Sequence, residues 1–278
     1  MGQSINPMLY RRELNQTWMS SYKEHNHNEI SYQIYQDLQI RKFVEKFFSE
    51  CSCIIHTLKL RRSRNSIELL ILYYKPSASP VTSKFFVPQT SVSDKNLYST
   101  PDFSQYLTES LLQYFSAKLS FKVFLRCINN TPMSLLKKPL QAHSYFDILN
   151  ALRRHYREPS FNDFINTLFV TLSRNNSAKL LSRMIAVKLS ESKRHSLLFN
   201  FWRKAILFFV NSSFSNLKGL KISIKGRING RPRAKTINII AGNVPCLTLS
   251  AKIDYAKSTS YTQNGTFGVK VWICSIKI

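Results

Sequence analysis

The chain has 278 residues, 44% apolar and 13% aromatic, which is enough for one large or two to three small domains and too apolar for global disorder. Its 40 Lys and Arg against 15 Asp and Glu give a formal charge of +25, a self-repulsion that a polyanion would relieve. Of only seven glycines none lies between residues 3 and 218, which excludes a Walker loop, a dinucleotide-binding turn and a nucleophile elbow from that stretch.

In chain order, residues 1–28 are polar, with Pro7 and Trp18 and no regular period, and read as an N-terminal extension. The spacing of Ile34, Leu38, Phe43 and Phe47, widened by Ile40, Val44 and Phe48, predicts a helix over 29–50. Alternation predicts a strand over 54–60, then a basic turn with Arg61, Arg62 and Arg64, then a more buried strand over 67–74. Pro76, Pro80 and Pro88 among many Ser and Thr make 75–93 a loop. Thr100-Pro101-Asp102 starts a helix with proline at its first position, expected to end near Leu119, and 121–128 alternates as a third strand. Helix, strand, strand, loop, helix, strand describes a small α+β sheet with helices on one side, occupying 29–131.

Pro139 and Pro159 flank helical pieces at 143–157 and 160–173, so 132–176 reads as an insertion or linker. Residues 177–189 and 195–210 form a helical pair. Alternation over 220–224, 237–240, 247–254 and 268–276 predicts a four-stranded, mostly antiparallel sheet. The fold class is therefore α+β, with two helices on a four-stranded sheet in a C-terminal domain of 177–278. Trp18, Trp202 and Trp272 are expected in cores rather than as stacking platforms.

Charge is uneven along the chain. From residue 192 onward there are fifteen Lys and Arg and one acid, Asp254, hence +14 over 87 residues. A one-sign field over a whole domain favours phosphate, with nucleic acid ahead of anionic lipid. Residues 226–235 put Arg227, Arg231, Arg233 and Lys235 on a turn between two strands, where arginine forks could bind phosphate; a solvated hairpin tip is the alternative. On the helical pair, Arg194, His195, Arg203 and Lys204, with Lys188 and Lys193, make either an RNA-facing surface or a basic helix face over a core. Arg61, Arg62 and Arg64 divide evenly between RNA contact and solvation.

Catalysis finds little support. His25 and His27 lack a ligand set for a metal, and between 164 and 278 only Glu191 and Asp254 could hold magnesium for a nuclease. No enzyme activity, cofactor, metal or small-molecule substrate is expected. Apolar runs such as 205–210 fall short of the ~18 residues of a membrane span, so no membrane partner is expected. The five scattered cysteines read as buried thiols in a reducing compartment.

Several motifs resemble the bacterial-type small-subunit ribosomal protein S-three family. Gly2-Gln3-Ser4-Ile5-Asn6-Pro7 followed by Arg11 is similar to its start. Lys218-Gly219-Leu220-Lys221-Ile222 with Ile224, Gly226, Arg227 and Gly230 is similar to its first C-terminal strand and turn. Gly242-x-Val244-Pro245 with Thr248-Leu249-x-Ala251-x-Ile253-Asp254-Tyr255, and Gly268-Val269-Lys270-Val271-Trp272-Ile273, follow in the family's order. Tyr35-x-Asp37-x-x-Ile40-Arg41 adds to these in the first helix. The resemblance covers both ends of the chain and little of the middle.

The resemblance implies a non-enzymatic component of the small-subunit head, with small-subunit ribosomal RNA, messenger RNA and neighbouring head proteins as partners. It implies ribosomal RNA contacts at Gln3, Asn6, Arg11, Lys218, Lys221 and Lys225 beside Arg227, Arg231, Arg233 and Lys235. Arg194, His195, Arg203 and Lys204 would line the channel by which messenger enters, although Phe199 and Asn200 stand where the family has a further arginine pair. The N-terminal domain would be a type II KH-like fold, but 77–84 carries no GXXG, so its grip on nucleotide backbone is expected to be lost. The glycines of the last sixty residues are expected at tight turns of an RNA-facing sheet. Gly2 and Glu13 leave no room for an arginine-rich presequence, and the AT-rich codon usage implied by composition points to an organelle-encoded copy, with the mitochondrion favoured over the plastid. The alternative from another class is an intron-encoded nuclease or maturase.

Overall fold

The structure is a computed structural model, and it describes residues 6–11, 18–22, 29–51, 53–63, 66–75, 100–115, 120–128, 150, 159–171, 177–192, 195–211 and 217–275. The chain divides into two compact units, Thr17–Asn129 and the combination of Met1–Gln16 with Asn130–Ile278. Among the described residues are five α-helices and two four-stranded sheets.

The unit of 17–129 holds β1 (Ser20–Ser21), α1 (Glu29–Glu50), β2 (Ile54–Arg62), β3 (Ser66–Tyr74), α2 (Thr100–Phe115) and β4 (Ser120–Cys127). The sheet order is β1-β2-β3-β4, with β2 antiparallel to β3 and β3 parallel to β4. Ile40, Val44 and Phe48 recur every four residues on α1 and bury that stripe against Leu58, Leu60, Leu69 and Ile71 of the sheet, beside Leu107 and Leu111 of α2. Expected and observed elements agree here within a few residues at their ends. The exception is β1, whose two residues are too few to show a period; Arg41 holds it by donating to the Ser20 hydroxyl (2.8 Å) and the Met19 carbonyl (3.2 Å).

The other unit holds α3 (Pro159–Val170), α4 (Ala178–Glu191), α5 (His195–Asn211), β5 (Leu217–Gly226), β6 (Lys235–Gly242), β7 (Ile253–Thr262) and β8 (Gly265–Ser275). The sheet order is β6-β5-β8-β7 and every neighbouring pair is antiparallel. Helix α4 lies over β7 and β8, and α5 lies over β5 and β6, so both helices cover one face. That face supplies Leu220, Ile222, Ile224, Val269, Val271 and Ile273 to the core.

Three expectations are corrected. The helical piece expected at 160–173 is present as α3, but it builds the core instead of linking: the Phe161 ring lies tilted 4.4 Å from Phe201, and Phe164 stacks on Trp202 at 5.4 Å. Pro159 is the first helical residue of α3, where proline costs no hydrogen bond, and marks the helix start within one residue of the expected position. The other helical piece, 143–157, lies outside the described residues save for residue 150, as does the loop 76–99.

The third strand of the second sheet runs 253–262, not 247–254, and the alternating Leu247 and Leu249 are 98% and 62% exposed in a loop. The true strand, IDYAKSTSYT, carries little apolar signal because its inward positions, Asp254, Ala256, Ser258 and Ser260, are small or polar; Ser258 donates to the Ser182 carbonyl at 2.6 Å. Of the three tryptophans only Trp202 is in a core; Trp18 is 68% exposed and Trp272 is half-buried on the sheet face away from the helices.

Asp254, the one acid of the C-terminal stretch, has a structural task. Its carboxylate accepts from the Ala178 amide at 2.7 Å and so serves the N-terminus of α4, next to the Ser177 cap on Leu180. Burial pushes its carboxyl pKa up, and the amides of Ala178 and Tyr255 with nearby Lys252 hold part of that rise back. Asp254→Ala should lower stability by about 1–2 kcal/mol, the cost of losing a good cap, as read by urea unfolding. An unchanged midpoint would mean that Ser177 caps the helix unaided.

Candidate nucleic-acid interface

The connection from β5 to β6 closes on the pair Gly226–Lys235 and presents Arg227, Arg231, Arg233 and Lys235 as exposed side chains. It is fixed from inside. Ile228 is buried, and Asn229 adopts left-handed backbone (φ 51, ψ 36), which asparagine tolerates better than most residues. The Asn229 side-chain oxygen accepts from the His195 amide at 3.2 Å, capping α5 from a distant part of the chain. Arg227 Nε donates to the Arg231 carbonyl at 2.7 Å, and the Arg231 amide donates to the Ile228 carbonyl at 3.2 Å. The loop is therefore a preformed set of cations rather than a loose tip.

Its base is equally tight. Gly226 lies within β5, and any Cβ there would overlap the Phe267 ring, which stands 5.0 Å from the ring of His195. His195 is 2% exposed, with Nε2 at 3.3 Å from the Leu189 carbonyl. It thus joins the α4–α5 turn to the sheet instead of facing solvent. Arg203 and Lys204 are exposed on α5; Phe199 is buried and Asn200 exposed. Arg194 and Gln3 lie outside the described residues.

Arg11 is buried too, at 2% exposure. Its guanidinium donates to the Pro7 carbonyl (2.8 Å), the Cys246 carbonyl (2.9 Å) and the Thr248 carbonyl (2.6 Å). Asn6 accepts from the Met8 amide at 2.9 Å and shapes the same turn. The motif at the start of the chain thus ties residues 6–11 to the loop after β6. Arg62, read as part of a basic tip, is likewise internal: it is paired with Asp37 at 2.6 Å, while Arg61 is exposed and Arg64 lies outside the described residues.

On β5, Lys218 and Lys225 are exposed and Lys221 half-buried. Lys221 and Lys225 share the face away from the helices with Ser223, and across the register that face continues through Lys270 and Trp272 of β8 to Tyr255 and Lys257 of β7. These last four were not singled out as contacts. The alternation of Lys270 and Trp272 with Val269, Val271 and Ile273 already separates the two faces in the sequence. The glycines expected at turns divide as well: among the described residues only Gly242 and Gly265 have positive φ, whereas Gly219 and Gly226 lie inside β5, where space is lacking.

Residues 199–273, from α5 to the end of β8, match the family model described as ribosomal protein S3, C-terminal domain. The chain is 33% identical over 106 residues to small ribosomal subunit protein uS3 of Sulfurimonas denitrificans, covering 38% of this chain and 43% of that protein. It is 51% identical over 59 residues to uS3c of Cyanidium caldarium, covering 21% of this chain and 28% of the relative. At 24% identity it aligns over 284 residues with uS3c of Emiliania huxleyi, the whole of both chains. The higher-identity matches thus span less than half of those relatives' lengths.

Proposed function

The chain is a member of the ribosomal protein S3 family, and from that premise we propose that it is a structural, RNA-binding component of the small ribosomal subunit and not an enzyme. The observation that carries this reading is the fixed cationic loop of Arg227, Arg231, Arg233 and Lys235, in a stretch of chain with one acid. Four cations held on a rigid base suit the phosphates of folded RNA, where shape and backbone rather than base edges set the fit.

Replacing Arg227, Arg231 and Arg233 together by Ala should lower the log–log salt slope of RNA binding by about 2–3 and weaken incorporation into the small subunit. Wild-type incorporation with an unchanged slope would show that the loop faces solvent in the assembly.

The finer parts of the reading have separate supports. Arg203 and Lys204, exposed on α5 with Arg194 nearby in sequence, suit a wall of the channel by which messenger enters, with His195 as their internal support. A KH-like character for residues 29–131 is supported by the order helix, two antiparallel strands, helix, parallel strand. An organellar location is supported by the full-length likeness to a uS3c protein, which suits a plastid at least as well as the mitochondrion that the sequence favours. The nuclease alternative gains no support. Asp254 serves a helix end, and Glu191 is paired with Lys188 at 2.8 Å.

A further inference from the structure

The sheet of the second unit has one face under helices and, among the described residues, one face without them. In register on the uncovered face, Lys221 stands opposite Trp272, which stands opposite Tyr255; one step along, Ser223 stands opposite Lys270, which stands opposite Lys257; Lys225 follows on β5. Lys257 and Lys270 are thus a like-charged pair directly across two strands, an arrangement that destabilises a sheet. No acidic residue shares this face among the described residues; Asp254 points to α4. The Tyr255 and Trp272 rings lie 5.3 Å apart at 46°, and Lys221 Nζ sits 5.4 Å from the Trp272 ring. Four lysines around an aromatic pair, on one face of a sheet, combine backbone neutralisation with a stacking surface.

We propose that this uncovered sheet face binds an unpaired RNA segment, its phosphates on Lys221, Lys225, Lys257 and Lys270 and one base against Trp272 and Tyr255. The site is distinct from the Arg227–Lys235 loop, and it rests on the reading of the chain as RNA-binding. An unpaired segment is specified because a base must leave its stack to reach an aromatic ring, whereas paired RNA offers only backbone and groove. The like-charged lysine pair explains itself on the same terms: its repulsion is relieved when phosphate arrives.

The test uses the full chain and two probes, a twelve-nucleotide oligouridylate and a twelve-base-pair RNA duplex. Replacing Lys257 and Lys270 by Ser should lower the oligouridylate salt slope by about 1.4, since each single-strand phosphate contributes about 0.7. Tyr255→Leu should weaken oligouridylate binding roughly tenfold, with duplex binding unchanged. Because the lysine variant removes a repulsion, its melting temperature without RNA should equal or exceed that of the wild type, which separates lost binding from lost folding. Unchanged oligouridylate binding and slope in both variants, with binding abolished when Arg227, Arg231 and Arg233 become Ala, would overturn the proposal and leave the RNA-binding reading intact. Failure of the wild type to bind either probe would overturn both. Equal, lysine-dependent binding of polyglutamate would overturn the choice of RNA as the occupant.

Discussion

Asp37→Ala should cost the first unit about 3–5 kcal/mol, the range for removing one member of a buried ion pair. Arg62 donates to one Asp37 carboxylate oxygen from Nε at 2.8 Å and from a terminal nitrogen at 2.6 Å, and to the Gln36 side-chain oxygen at 2.8 Å. Both side chains are less than a tenth exposed. Without the carboxylate, the guanidinium keeps one amide partner and a long contact to the Gln33 carbonyl, and a buried charge stands uncompensated. The loss should appear as rapid proteolysis within 17–129 while the other unit stays protected. Replacing both members together, Asp37→Leu with Arg62→Met, should recover most of the stability, because the charge and its partner leave at once. Equal stability of Asp37→Ala and the wild type would mean that Arg62 finds water in solution.

Substitutions at the Gly219–Gly242 crossing should be nearly as damaging. The two glycines face each other in the β5–β6 register, and the chain after Gly242 passes back over Gly219, with the Asn243 amide donating to the Lys218 carbonyl at 3.0 Å. A Cβ on Gly219 would sit 2.5 Å from the Asn243 carbonyl oxygen and 2.6 Å from its carbonyl carbon, and backbone cannot rotate aside as a side chain can. Gly219→Ala should therefore cost about 3 kcal/mol, the upper end for overpacking. Gly242→Ala meets the Lys218 carbonyl oxygen at 2.5 Å and adds about 1–2 kcal/mol for left-handed backbone (φ 70). Gly265→Ala separates strain from space: its φ of 120 costs any side chain about 1–3 kcal/mol, but nothing lies within 4 Å of the new methyl. Urea midpoints should rank the wild type first, then Gly265→Ala, with Gly219→Ala and Gly242→Ala lowest. Gly265→Ala falling below the other two would show that backbone conformation, not space, governs this sheet.

What could be read in the sequence follows from the range of the interactions involved. The period of α1 and the apolar run of β3 are local patterns, and both elements sit where those patterns place them. The strand expected at 247–254 lies at 253–262 because the inward side chains of β7 are Asp254, Ala256, Ser258 and Ser260, too small or polar for hydrophobic periodicity to report. Charge told where cations are dense but not which way they point. Arg11 is satisfied by carbonyls more than 230 residues away and Arg62 by a carboxylate on a helix 25 residues earlier, while His195, read with the basic surface of the helical pair, is buried against the Phe267 ring. Such partners are invisible to any window along the chain. The faces of β5 and β8 are a different case: their alternation was legible, and only the weight given to Trp272 as a core residue hid the cationic surface.

The Arg11 contacts also set a clock. The residues of 17–129 are made between Arg11 and its acceptors at Cys246 and Thr248, so one compact unit is inserted in sequence between the two parts of the other. At about 5–20 residues per second of synthesis, some 10–50 s separate the donor from its acceptors. During that interval the inserted unit has every residue it needs, while the enclosing unit cannot close. Its closure needs a turn made before the inserted unit to meet a loop made after it, and any partner that grips residues 6–11 before then delays it.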